Sequence, residues 1–124
     1  MFDALEIGGL LDTRCTFSFN TIEGAVYGGY AFDFVTPLSH ITSSEILVSN
    51  NTFIDDQNGV YLDGTFEGGA RCQVVLNKFQ NVATTGIGIY LGSGTSHCIV
   101  AGNSKTTIQN LGTDNVIVNT GFAP

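Results

Sequence analysis

The chain has no tryptophan, one methionine, two prolines and only four basic residues among 124. Each shortage removes a class of answer. Four Lys and Arg against eleven Asp and Glu leave a net charge of −7, so there is no basic surface to neutralise phosphates and nucleic acid is not an expected partner. No apolar run approaches the roughly eighteen residues of a membrane-spanning helix, and no basic stretch followed by an apolar one opens the chain. Membrane insertion is therefore not expected. The three cysteines form no CxxC spacing and the two histidines, His40 and His97, stand at no ligand spacing, so no zinc site is expected. Loop acids such as Asp55-Asp56, Glu67 and Asp114 suit solvated turns; they offer Ca²⁺ a weak site at most, because neither an EF-hand loop nor a nonapeptide calcium repeat is present.

What is abundant points one way. Sixteen glycines and 43% apolar residues, with charged residues at only 12%, describe a packed, turn-rich β protein. The apolar content is too high for disorder. A length of 124 residues fits one domain, 1–124.

The organising feature is a repeat. Cys15-Thr-Phe-Ser-Phe-Asn20, Ile46-Leu-Val-Ser-Asn-Asn51, Cys72-Gln-Val-Val-Leu-Asn77 and Cys98-Ile-Val-Ala-Gly-Asn103 are each six residues long and end on Asn, with starts 31, 26 and 26 residues apart. Alternation within each run, with Phe17, Val48, Val74 and Val100 at the third place, is the period of a strand. A second strand recurs after a glycine: Gly29-Tyr-Ala-Phe-Asp33, Gly59-Val-Tyr-Leu-Asp63 and Gly88-Ile-Tyr-Leu-Gly92. Two strands repeating together imply a solenoid coil of about four rungs. Ala4-Leu-Glu-Ile-Gly8 reads as a second strand lacking its first, and Gly112 to Val118 echoes Gly94 to Val100, so the coil is expected to start and end within a rung, as a piece or C-terminal part of a longer solenoid.

Stacked repeats turn each position into a column with a spacing of about 4.8 Å. Asn20, Asn51, Asn77 and Asn103 are expected to form an amide column at the bend after the first strand. Cys15, Cys72 and Cys98, with Ile46 in the remaining turn, read as small buried hydrophobes, and unpaired buried thiols fit folding in a reducing cytosol. Val60 with Ile89 and Leu62 with Leu91 should face inward, leaving Tyr61 and Tyr90 as an outward column. This column suits a sugar platform or packing under a neighbour. Asp33 and Asp63 are expected to share a column, where mutual repulsion would keep one carboxyl protonated and suited to general acid work; as Asp63-Gly64 shows, Asp before Gly is equally a turn residue. Arg14 and Arg71 hold matching places before their strands and would either contact an acidic glycan or neutralise neighbouring acids. Outward Leu47, Val75 and Ile99 suggest contact with another subunit.

Runs of the type Ile-Leu-Val-Ser-Asn-Asn-Thr-Phe (46–53) followed by Asn-Gly-Val-Tyr-Leu (58–62) resemble the repeats of the right-handed parallel β-helix, pectin-lyase-like superfamily. The resemblance covers about residues 4–118 and supplies the expected handedness. It implies a polysaccharide as partner, an extracellular or phage tailspike-like virion setting, a homo-oligomer such as a trimer, and glycoside hydrolase or polysaccharide lyase chemistry. On that reading Asp33 and Asp63 are the candidate catalytic pair, and Tyr61, Tyr90, Arg14 and Arg71 the candidate substrate contacts. Of the superfamily's polygalacturonase-like motifs (Asn-Thr-Asp, Asp-Asp, Gly-His-Gly and Arg-x-Lys) only Asp55-Asp56 occurs. The alternative is a non-catalytic structural or oligomerising solenoid module.

Overall fold

Alternation at period two places one apolar residue in every other position, and the strands that result are short. In a computed structural model, residues 5–7, 13–24, 32–41, 44–56, 58–66, 71–81 and 86–118 are described. The described residues contain strands and no helix: β1 (Leu5–Ile7), β2 (Thr13–Ser18), β3 (Thr21–Glu23), β4 (Phe32–Ile41), β5 (Ser44–Ser49), β6 (Thr52–Ile54), β7 (Val60–Phe66), β8 (Arg71–Val75), β9 (Lys78–Gln80), β10 (Ile89–Leu91), β11 (Ile99–Ala101), β12 (Ile108–Asn110) and β13 (Val116–Val118).

These strands make three sheets in which all described pairings are parallel. Sheet A runs β1-β4-β7-β10-β12, sheet B runs β2-β5-β8-β11-β13, and sheet C runs β3-β6-β9. Each sheet therefore collects one strand from successive repeats, an all-β, all-parallel arrangement compatible with a solenoid. Sheet C was not anticipated. Its strands are three residues long and carry a single inward residue each, so the sequence offers no alternation to count.

The core lies between the sheets. Sheet B contributes the column of Val48, Val74 and Val100, with Phe17 packed partly buried against it, and sheet A contributes Val60 with Ile89 and Leu62 with Leu91, all four fully buried. Sheet C adds Phe53 and Phe79, stacked with ring centroids 5.0 Å apart. Burying a side chain of this size is worth about 1.5–3 kcal/mol, so these columns dominate the stability of the stack. At the C-terminal end amides close part of the core: Asn115 Nδ2 donates to Asn110 Oδ1 at 2.9 Å and to Thr95 Oγ1 at 3.1 Å.

Glycine stands immediately before two of the sheet A strands for a spatial reason. A Cβ on Gly59 would overlap the Gly88 carbonyl oxygen, and one on Gly88 would overlap Thr106 Oγ1.

Candidate functional site

Sheet A positions most of the predicted site, and its register corrects one expectation. Phe32 pairs with Val60, Asp33 with Tyr61, Phe34 with Leu62 and Val35 with Asp63. Asp33 and Asp63 therefore do not share a column. Aligning Gly29 with Gly59 puts the strands in a different register, whereas Phe32 and Phe34 pair with the buried Val60 and Leu62, two residues away. The two aspartates stand on a diagonal, one strand over and two residues along, with Cα atoms about 8 Å apart from strand geometry. The mutual repulsion expected of column neighbours loses its basis. The side chains of Asp33, Asp63, Arg14 and Arg71 lie outside the described part of the structure, which gives their backbone register.

The corrected register assembles another column. Glu6 pairs with Asp33, Asp33 with Tyr61, Tyr61 with Tyr90, and Tyr90 with Gln109. Tyr61 and Tyr90 are half-buried and stacked, with ring centroids 4.6 Å apart and planes 8° from parallel. Each ring thus spends one face on the other. Rings stacked on each other leave one face each for a ligand, so this column offers less of a flat platform than two rings lying side by side. Glu6 and Gln109 stand at the two ends of this column, and the sequence reading singles out neither.

On sheet B, Arg14 pairs with Glu45 and Glu45 with Arg71. The two arginines do hold matching places, inside β2 and β8, but a glutamate intervenes. A column of alternating sign favours charge neutralisation within the sheet over an anion-binding row.

The asparagine column forms as expected and is the best-defined polar feature. Asn20, Asn51 and Asn77 each donate from Nδ2 to Oδ1 of the next asparagine at 3.0 Å. Their backbone N–H groups donate to the same oxygens at 2.9–3.0 Å. Asn51, Asn77 and Asn103 also donate from Nδ2 to the carbonyls of Phe17, Val48 and Val74. The side chains here close the turn, so the column is architectural.

Cys72 and Cys98 are buried thiols joined in no disulfide. The hydrogen bond between the two thiols, and then burial, push the Cys72 thiol far above its ordinary range, so it stays protonated and inert as a nucleophile. The loop acids divide: Asp55 is exposed and accepts from Asn81 Nδ2 at 3.0 Å, whereas Asp56 is buried rather than solvated. Among the described residues no three His, Cys, Asp or Glu side chains gather as metal ligands. No family model, no curated protein and no solved structure matches the chain.

Proposed function

We propose that the chain is a segment of a right-handed parallel β-helix of the pectin-lyase-like kind, about four rungs long, which recognises a polysaccharide along the outside of sheet A. The three all-parallel sheets, each fed by one strand per repeat, support the β-helix reading. The single observation behind the ligand reading is the in-register column of Asp33, Tyr61, Tyr90 and Gln109. It places a carboxylate position, two phenols and an amide at one strand spacing, about 4.8 Å. Such a strip of mixed donors and acceptors fits the hydroxyls of a glycan chain lying over successive turns. An extracellular or virion-borne parent protein accords with such a ligand.

Recognition is favoured over cleavage. Glycoside hydrolysis needs two carboxyls at a defined separation, and the register gives only diagonal backbone places for Asp33 and Asp63, so the proposal rests on the phenol column and not on a catalytic pair. Arg14 and Arg71, on sheet B, belong to a different sheet from the phenols, so one glycan contact using both sets is not part of the proposal.

Affinity electrophoresis of the folded chain through gels holding bacterial capsular, teichoic or plant acidic polysaccharides tests the reading. Retardation by one polymer is expected. Because each ring spends one face on the stack, the hydroxyls carry more of the contact, and Tyr90→Phe should weaken that retardation about tenfold, roughly 1.4 kcal/mol, while leaving the fold intact. Loss of polymer length in the same gels, abolished by Asp63→Asn, would restore the catalytic assignment. No retardation by any polymer would remove the ligand reading.

A further inference from the structure

We infer that Cys72 and Cys98 form a redox switch, in which peroxide joins them in a reversible disulfide that closes one whole turn of the chain into a covalent ring. The inference does not depend on glycan recognition.

The first observation is position. Gln73 pairs with Ile99, so Cys72 and Cys98 stand opposite each other one place earlier, both buried in the core with Val74 and Val100. Neighbours across a parallel pair have Cα atoms about 4.8 Å apart, inside the range that a disulfide spans. The two thiols are hydrogen-bonded to each other, so the sulfurs meet before any bond forms. Cys15 is kept out of the pair. It is in register with Ile46, and Ile46 with Cys72, which sets its Cα about 9.6 Å from that of Cys72 and beyond disulfide reach.

The same geometry makes the bridge reversible. Parallel strands hold the Cβ atoms about 4.8 Å apart, wider than the roughly 3.8 Å of a relaxed disulfide. A bond closed across that gap is strained, and strained disulfides are the readily reduced ones.

The second observation is an asymmetry that sets the order of reaction. Cys98 lies beside the end of the stack. The next residue in its column is Asn115, half-buried, whose Oδ1 accepts the Cys98 N–H at 2.9 Å, and the strand that follows, β13, is exposed along its length. Opening of this last turn uncovers Cys98 while Cys72 stays covered. The hydrogen bond from the Cys72 thiol, working against burial, holds the Cys98 thiol below its ordinary range, so Cys98 is the sulfur that reacts first.

Hydrogen peroxide is the oxidant. The Cys98 thiolate attacks one peroxide oxygen and the O–O bond breaks, leaving a sulfenic acid on Cys98 while the departing hydroxide takes the thiol proton as water. Oxidation of Cys98 removes the hydrogen-bonded partner that keeps Cys72 protonated. The Cys72 sulfur then attacks the Cys98 sulfur, the S–O bond breaks, and hydroxide leaves with the Cys72 proton as a second water. Two thiols and one peroxide thus give one disulfide and two waters. The ring so closed runs from β8 through β9 and β10 to Cys98, and it carries Tyr90.

Peroxide treatment of the folded full chain, read by intact mass and peptide mapping, is the test. The expected product is lighter by two hydrogen atoms, cross-linked between Cys72 and Cys98, and restored by dithiothreitol. Its Tm should be higher by about 5 °C. Cys15→Ala should bridge at the parent rate. Cys72→Ala should stop at a sulfenic or sulfinic acid on Cys98, whereas in Cys98→Ala the remaining Cys72 should oxidise at least tenfold more slowly. Both thiols surviving a treatment that oxidises the free amino acid cysteine would overturn the inference, as would a bridge that forms only in urea or one that includes Cys15. Equal oxidation of Cys72 and Cys98 in the two single variants would overturn the order of reaction.

Discussion

Two columns of this molecule are adjacent in sequence and opposite in what determines them. Asn20, Asn51, Asn77 and Asn103 hold one amide at every turn. The column one residue earlier holds Phe19, Asn50, Leu76 and Gly102, four different residues in the same left-handed backbone. The difference is burial combined with hydrogen bonding. In the asparagine column the last three members are at most 2% exposed, and each Oδ1 takes two N–H groups from the turn before it. No other side chain offers an acceptor for two donors plus an Nδ2 donor at that reach. In the neighbouring column the backbone does the bonding and the side chains point away, so identity is restrained only by backbone strain.

The largest effect is expected where the buried ladder is broken at its middle. Asn77→Ala removes the acceptor of the buried Asn51 N–H and the donor to the Val48 carbonyl. Orphaned buried groups cost about 1–3 kcal/mol each, so a loss of about 3–5 kcal/mol is expected by urea denaturation. A loss below about 1 kcal/mol would show that water replaces the amide and would dissolve the contrast. Gly88→Ala tests identity set by space alone. Its Cβ would overlap the Thr106 side chain, and overpacking of this kind costs about 1–3 kcal/mol; a neutral result would mean that Thr106 rotates away. Asn20→Ala asks whether ladder membership or burial matters. Asn20 is exposed and donates to Asn51 Oδ1 and the Ser18 carbonyl, so water can take over, and about 1 kcal/mol is expected. A cost equal to that at Asn77 would make the ladder cooperative as a unit.

The same contrast explains what was legible in the sequence. Columns that need one residue type, or that alternate in long strands, announce themselves: the asparagines, Val48 with Val74 and Val100, and Val60 with Ile89 were all placed by spacing. Where a column tolerates any residue, nothing marks it, and the strained bend of Phe19 and Leu76 was invisible. Glycine proved a poor anchor. Gly59 and Gly88 are fixed by close contacts, but Gly29 was aligned with them on identity alone, which displaced Asp33 by two residues and created a carboxylate pair the register does not contain. Near the end, matching Gly94 with Gly112 set Val100 against Val118, whereas Val100 pairs with Ile117. A one-residue slip exchanges inner and outer faces, so Ile117, and not Val116 or Val118, takes the place that continues the inward column, although on the last strand it is still exposed.

The smallest predicted effect bears most directly on the permissive column. Asn50→Leu gives this position the residue its neighbour Leu76 already carries, in nearly the same backbone conformation, at φ 55° against 58°. Asn50 is exposed, so no buried group is orphaned and no cavity opens. What remains is the preference of Asn over Leu for the left-handed region, about 1 kcal/mol or less, which in a domain of this size lowers Tm by about 3–6 °C. The backbone N–H of residue 50 still donates to the Val75 carbonyl, so the turn keeps its shape. A drop of several kcal/mol would instead mean that Asn50 is held to its identity as strictly as Asn51, and the distinction between the two columns would fail at the turn where they stand side by side.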